Sequence, residues 1–502
     1  MHARGPAGGM PRRAFLAAGL GGLALTLAAC TDGSPTPTPT PTRTPTPSPT
    51  PGGVPAPTAF RRSRWSRNPF MRGAFSYDGV GATAELRATL AQPVSDRLVI
   101  AGEATSADAP GTVHGAYVEG RLAASRIADR AEEGDRIAII GAGIAGLAAA
   151  RDLVDRGFDV VVVEAGDTVG GRLRTVDDAA FGGPIELGSP FVAAGSALRA
   201  LLAAAEIVTT PFTPVLGYRT PDGTVVPPSD AGWEAIATAQ AWAADRSADV
   251  SLTDALIGSG AIPISDEPGD DGLSPRDWLV NALSTGVEPT TGAVPARVSA
   301  QRFDARRAWH PTARVASGWA PLISRLSDGV AIAGSSVVTG ITVDDEGVSL
   351  RLDTGESLRQ HRVIVTASIG VLKTDTITFE PPLPLLHQRA IGVLGMGALD
   401  LVWLAFDEPF WRDADAAADT DAASDASADV LTLVGATPTV AAWIDLGDPE
   451  HAVLVGVLAA QHARRLAELD DDAAMAEVLE ALVPFAPAAT TDPNASPTPT
   501  AG

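Results

Sequence analysis

The feature that most constrains this chain is a glycine-rich turn set between an apolar strand and a helix. Ile137-Ala138-Ile139-Ile140 reads as a buried strand, Gly141-Ala142-Gly143-Ile144-Ala145-Gly146 as the turn, and Leu147 to Arg156 as the helix. A second strand, Val160 to Glu164, completes one βαβ unit with parallel strands. In such a unit the first glycine permits the tight turn. The second lets backbone approach a pyrophosphate, and the third lets helix pack on strand. The helix then presents its N-terminal N–H groups to the phosphate. Glu164 lies about twenty residues on, where a carboxylate accepts hydrogen bonds from ribose hydroxyls. The pattern predicts an α/β fold with a dinucleotide site at Gly141, Gly143, Ile144, Ala145, Gly146, Glu164 and the adjoining Ala165.

A chain of 502 residues has room for an inserted domain beyond that unit. Its formal net charge of -23 argues against nucleic acid or anionic membrane surfaces as partners. The single cysteine, Cys30, leaves no disulfide framework or cysteine metal cluster, and there is no HExxH or CxxC motif. Pro11-Arg12-Arg13-Ala14-Phe15-Leu16 forms a positive leader, Leu16 to Leu27 is a short apolar run, and Leu27-Ala28-Ala29-Cys30 closes it with small residues. This resembles a bacterial lipoprotein signal, and the paired arginines resemble a twin-arginine export signal. The expectation is an exported protein anchored through a lipid on Cys30 to the extracytoplasmic face of the cell membrane. The apolar run is too short to span a bilayer.

The expected organisation is a signal at 1–29, a Thr/Pro-rich tether at 30–60 and a low-complexity tail at 489–502. An Asp/Ala-rich surface insertion falls between Asp413 and Asp429. Residues 196–320, Ala-rich and broken by Pro and Gly, read as a mostly helical substrate region, and 321–488 returns to sheet.

Several further segments carry a resemblance. Gly170-Gly171-Arg172 with Thr175, then Glu186-Leu187-Gly188-Ser189, continue the βαβ unit. Arg64-Trp65-Ser66-Arg67-Asn68-Pro69-Phe70, Gly73-Ala74-Phe75-Ser76-Tyr77, Ala101-Gly102-Glu103-Ala104-Thr105-Ser106 and Gly111-Thr112-Val113-His114-Gly115-Ala116-Tyr117 precede it. Val363 to Lys373, Phe379 to Pro384 and Gly395 to Val402 follow. Together these resemble the flavin-containing amine oxidases, the monoamine and polyamine oxidases among them. The resemblance implies a Rossmann-type FAD-binding domain with an inserted α+β substrate domain. FAD would be contacted further by Trp65, Gly102, Glu103, Thr112, Val113, Ala116, Gly171, Arg172, Gly188, Ser189 and Val338. It implies that Arg172 meets phosphate and that Glu103 sits by the ribityl-phosphate side. Ala74 stands where monoamine oxidases carry a flavin-linked cysteine, so FAD would be noncovalent.

In that family the segment at 61–130 normally ends the chain, whereas here it precedes the Rossmann part at 131–195. The order implies a circular permutant, with the neighbourhoods of Arg61 and Pro484 adjacent in space. The implied chemistry is hydride transfer from the α-carbon of a neutral small-molecule amine to flavin N5, then reoxidation by oxygen or another acceptor. Phe75 and Thr112 match the side chains flanking the substrate. Leu401 stands where most members carry a lysine that holds a water against flavin N5. The only lysine in the sequence is Lys373, in a different motif. This implies slow reaction with oxygen. The alternatives are a non-catalytic flavin-binding lipoprotein, or an amino-acid oxidase or desaturase of the same superfamily. An amino-acid substrate would need an arginine such as Arg302, Arg306 or Arg307 facing the flavin.

Overall fold

The computed structural model describes residues 51–192, 196–262, 264–304, 312–412, 429–446 and 451–487. The leader with Cys30, most of the tether, Arg306, Arg307, the acidic stretch 413–428 and the tail lie outside the described residues. None of the described helices is long and apolar enough to cross a membrane.

A five-stranded sheet runs in the order Ala331–Ala333, Asp159–Val163, Arg136–Ile140, Arg362–Val365 and Leu98–Ile100, with every neighbouring pair parallel. Its central strands are continuous apolar runs because both faces are covered. Ile137, Ile139, Val99 and Ile364 face a core shared with the helices Val113–Ala128 and Ile144–Asp155. Ala138, Ile140, Val363 and Val365 face the opposite core with Leu86 and Leu90 of the helix Ala84–Leu90. The strand contributed by the front segment, Leu98–Ile100, therefore completes the sheet begun by the phosphate turn.

The two helices on the first face touch backbone to backbone. A Cβ on Gly120 would lie 2.1 Å from the carbonyl oxygen of Ala145. Only glycine fits there. The helix after the turn begins at Ile144, earlier than the sequence pattern suggests, because Gly143 takes the N-cap position. The following strand is Asp159–Val163, which leaves Glu164 just beyond its end.

The second layer is a seven-stranded sheet ordered Ala59–Arg62, Leu399–Phe406, Ala452–Ala459, Ala442–Asp445, Val430–Leu433, Leu216–Arg219 and Val225–Val226. Ala452–Ala459 is buried at every residue. Val402, Leu404, Leu454 and Leu458 pack on one side with Phe485, whereas Leu401, Trp403, Val455 and Val457 pack on the other with Trp65. The region predicted as mostly helical holds the helices Ala231–Ala244, Leu252–Gly258 and Pro275–Asn281. It also carries short strands, one of which, Leu216–Arg219, pairs in parallel with Val430–Leu433. Pairing with a partner more than two hundred residues away overrides the local signal there.

The two ends of the described chain meet. Arg61 pairs with Trp403 across the sheet, and the Arg62 guanidinium donates to the carbonyls of Leu466 (2.8 Å) and Leu469 (2.6 Å) and to Asp471 (2.8 Å). Val54 and Phe485 share one core, and a Cβ on Gly52 would touch Val483 at 2.8 Å. The neighbourhoods of Arg61 and Pro484 are thus adjacent, as the order of the motifs predicted.

Candidate active site

A cavity of about 1110 Å³ lies between the two sheets. It exceeds the usual range for a site taking a single drug-sized ligand and has room for a dinucleotide with a substrate beside it. On one side it opens at the carboxyl ends of the parallel strands, where Ile140, Val163 and Thr366 line it. The phosphate turn forms its floor. Gly141 has φ +103, and a Cβ there would sit 2.5 Å from the Thr366 hydroxyl. A Cβ on Gly146 would sit 1.9 Å from the carbonyl of Gly141, so this third glycine supports the turn from beneath while Gly141, Gly143, Ile144 and Ala145 line the cavity. Gly143 meets nothing nearer than the Cα of Gly171, at 4.0 Å, which leaves its backbone open to a ligand. Glu164 accepts from the N–H groups of Ala142 (2.6 Å) and Gly166 (2.7 Å), which aims its carboxylate at the cavity beside Ala165.

The front segment supplies the second helix N-terminus. Thr112 is the N-cap of Val113–Ala128; its hydroxyl accepts from Gly115 N–H and donates to the carbonyl of Ala109. Thr112, Val113, His114 and Ala116 all line the cavity. The first-turn N–H groups of a helix have no intrahelical partner and carry partial positive charge. Burial lowers the pKa of His114, so this residue adds no charge near neutral pH. Phe75 lines the cavity next to Gly111, whose Cβ would meet the ring at 3.6 Å. Phe75 and Thr112 therefore share one wall, although the Thr112 hydroxyl is committed to capping.

Glu103 is buried beneath that wall. Its carboxylate accepts from Ser76 N–H and Oγ, from Gly111 N–H (3.1 Å), and from Arg172 Nη1 at 2.9 Å. Burial pushes the carboxyl up, but Arg172 and Ser76 together outweigh it and hold its pKa below the ordinary carboxylate value. The same Arg172 nitrogen donates to the carbonyl of Ala74. A buried carboxylate needs a charged partner, and Arg172, which also lines the cavity, supplies it. Gly102, Gly171, Gly188, Ser189 and Val338 also line the cavity.

The far wall comes from the seven-stranded sheet. Leu399 and Leu401 of one strand, Val457 of its neighbour and Ala442 of the next present apolar side chains, and Leu401 is 4 % exposed. Lys373 lies elsewhere, donating to the carbonyl of Gly392 at 2.7 Å. Behind the wall is a feature that sequence reasoning missed. Asp400 Oδ1 accepts from Ser63 Oγ (2.9 Å) and Trp65 N–H (2.8 Å), and Ser63 Oγ in turn accepts from Leu401 N–H. Trp65, itself in the cavity lining, is pinned at its other end by a bond from Nε1 to the carbonyl of Leu187. Asp400 Oδ2 is buried with no partner, and burial pushes this carboxyl up to about 6.

A family model described as flavin containing amine oxidoreductase matches residues 50–128, 144–243 and 292–499. The chain belongs to that family. Its cofactor is accordingly FAD, and the glycine cradle, the two helix N-termini and the size of the cavity suit a dinucleotide. Among its relatives is polyamine oxidase 4 of Oryza sativa subsp. japonica, 28% identical over 70% of this chain and 73% of the relative. Lysine-specific histone demethylase 1B of Mus musculus is 26% identical over 67% of this chain and 41% of the relative. The fold is that of putrescine oxidase bound to putrescine, with TM-score 0.53, 21% identity and coverage of 70% of this chain and 82% of that one. Cyclohexylamine oxidase from Brevibacterium oxydans shares it, with TM-score 0.52 and 23% identity over 70% and 82% of the two chains. In this flavin amine oxidoreductase the residue at position 401 of the cavity wall is leucine.

The raised Asp400 pKa has a consequence with a definite sign. The folded state holds a proton on Asp400 that the unfolded state releases, so stability falls as pH rises from about 4 to about 6 and stays low above that. At roughly 1.4 kcal/mol per pKa unit this amounts to about 3 kcal/mol. Asp400→Asn should therefore raise the urea midpoint at pH 7.5 and leave it unchanged at pH 4. Equal effects at both values would show that Asp400 does not titrate in this window.

Proposed function

We propose that this chain oxidises the carbon–nitrogen bond of a small amine, using noncovalently held FAD, and reacts slowly with oxygen because Leu401 replaces the family lysine. The observation that carries this reading is the continuity of one cavity from the phosphate turn to the wall formed by Phe75, Thr112 and Leu401. When bound, FAD supplies an atom, N5, that accepts hydride from the amine carbon. The rest is the work of the protein. The N-terminus of Val113–Ala128 offers positive charge to the pyrimidine end of the ring system. Phe75 and the apolar sheet wall exclude water from the reacting carbon and orient the neutral amine. Ala74 offers no side chain for a covalent link. With leucine at 401 no ammonium holds a water against the ring, and Lys373 is tied up at Gly392.

Little supports an amino-acid substrate. Arg302 lines the cavity, but its nearest acidic partner, Asp78, lies 3.6 Å away and competes for it. Export and a lipid on Cys30 are part of the reading, supported by the leader alone. Circular permutation is supported by the order of the motifs and by the meeting of residues 51–62 with 466–485.

Four outcomes are expected. Anaerobic addition of a suitable amine should bleach the yellow band of the purified holoprotein; no bleaching by any primary, secondary or tertiary amine would refute the proposal. Leu401→Lys should speed reoxidation of the reduced protein by oxygen roughly tenfold, about 1.4 kcal/mol of barrier, whereas an unchanged rate would remove the role assigned to Leu401. Cys30→Ala should move the protein from the membrane fraction to the soluble exported fraction. A gene rearranged so that the 61–130 segment follows residue 487 should still yield yellow protein, and an insoluble product would count against permutation.

A further inference from the structure

The cavity wall at Leu401 has a chemical character that the names of the relatives do not suggest. Leu399, Leu401, Ala442 and Val457 bring no polar side-chain atom to the cavity. Phe191, stacked on Phe212 with ring centroids 4.9 Å apart, adjoins the same apolar cluster. A diamine or polyamine reacting at one nitrogen has a second ammonium to place, and a buried ammonium needs a carboxylate. The described cavity residues offer none that is uncommitted. Asp78 is paired with Arg87 at 2.8 Å and lies near Arg302. Glu103 is paired with Arg172, and Glu164 is bonded to two backbone N–H groups. Asp108 and Asp304 each engage a partner too. The cavity also contains Arg72, whose buried Nε has no hydrogen-bond partner and would repel a second cation.

We infer that the substrate is a monoamine with an extended apolar substituent, alkyl or aryl, seated on the wall of Leu399, Leu401, Ala442 and Val457. This rests on the amine-oxidising reading above and names the substrate class for that site. Leucine in place of lysine then has a second effect besides slowing oxygen: it extends the apolar wall to the reacting carbon. Leu401 is in this sense a specificity-determining residue.

A series of straight-chain primary amines tests the inference on the holoprotein by two readouts. One is the change in the oxidised flavin spectrum on binding, and the other is the anaerobic bleaching rate. From propylamine to hexylamine the dissociation constant should fall about fourfold per methylene, the worth of roughly 0.8 kcal/mol for each CH₂ taken out of water. Adding a terminal amino group, as in 1,6-diaminohexane, should weaken binding at least about a hundredfold relative to hexylamine, equivalent to roughly 2.7 kcal/mol. Leu401→Ala should shift the optimum toward bulkier aryl amines while the protein stays yellow, and Leu401→Lys should flatten the dependence on chain length. Binding or bleaching by 1,6-diaminohexane that equals or exceeds that by hexylamine would overturn the inference and leave amine oxidation intact. Binding that tightens with chain length without bleaching by any amine would uphold the wall and defeat the catalytic proposal.

Discussion

The contact on which the arrangement depends is the pair of buried Glu103 with partly buried Arg172. Glu103 comes from the front segment and Arg172 from the stretch after the phosphate turn, and they meet at 2.9 Å under the cavity wall. An ion pair in such a place adds little to net stability, because desolvation of both charges offsets their attraction. Its effect is on specificity of assembly. If the front segment docked elsewhere, the Glu103 carboxylate, hydrogen-bonded to Ser76 and Gly111, would lose this partner and keep only the more distant Arg87. The same guanidinium holds the carbonyl of Ala74, so the backbone leading to Phe75 is fixed by the same interaction. Cofactor cradle and substrate wall are thereby set in register with each other.

Much of the site was legible from sequence because its requirements are local. The phosphate turn needs a positive φ at Gly141 and close backbone approach at Gly146, and glycine alone meets both, so the demand is written in consecutive residues. The N-cap at Thr112 is likewise local. What could not be read was decided by pairs far apart in the chain. Asp400 looks like an ordinary polar residue on an alternating strand, yet it is enclosed by Ser63 and Trp65, more than three hundred residues away. The pairing of Arg172 with Glu103, 69 residues distant, could likewise not be read from sequence. The strand Leu216–Arg219 is only four residues long and includes a glycine, too short for alternation to mark it among its Pro- and Thr-rich surroundings.

Leu401 links the two levels of the site. Its side chain faces the cavity, and its backbone N–H is held by the Ser63 hydroxyl that also serves Asp400. An apolar side chain thus faces the cavity, while a carboxyl whose neutral form is favoured by burial lies behind the sheet.

The close approach at Gly120 bears on how the two halves of the cofactor site hold their spacing. Both helices present their N-termini to the cavity. They touch through bare backbone at Gly120 and Ala145. Such a contact has no rotamers and no room to compress. It acts as a fixed spacer, so the separation of the two anion-binding helix ends is largely immune to substitutions in the surrounding core. The chain can vary its substrate wall widely and still present FAD with the same pair of fittings.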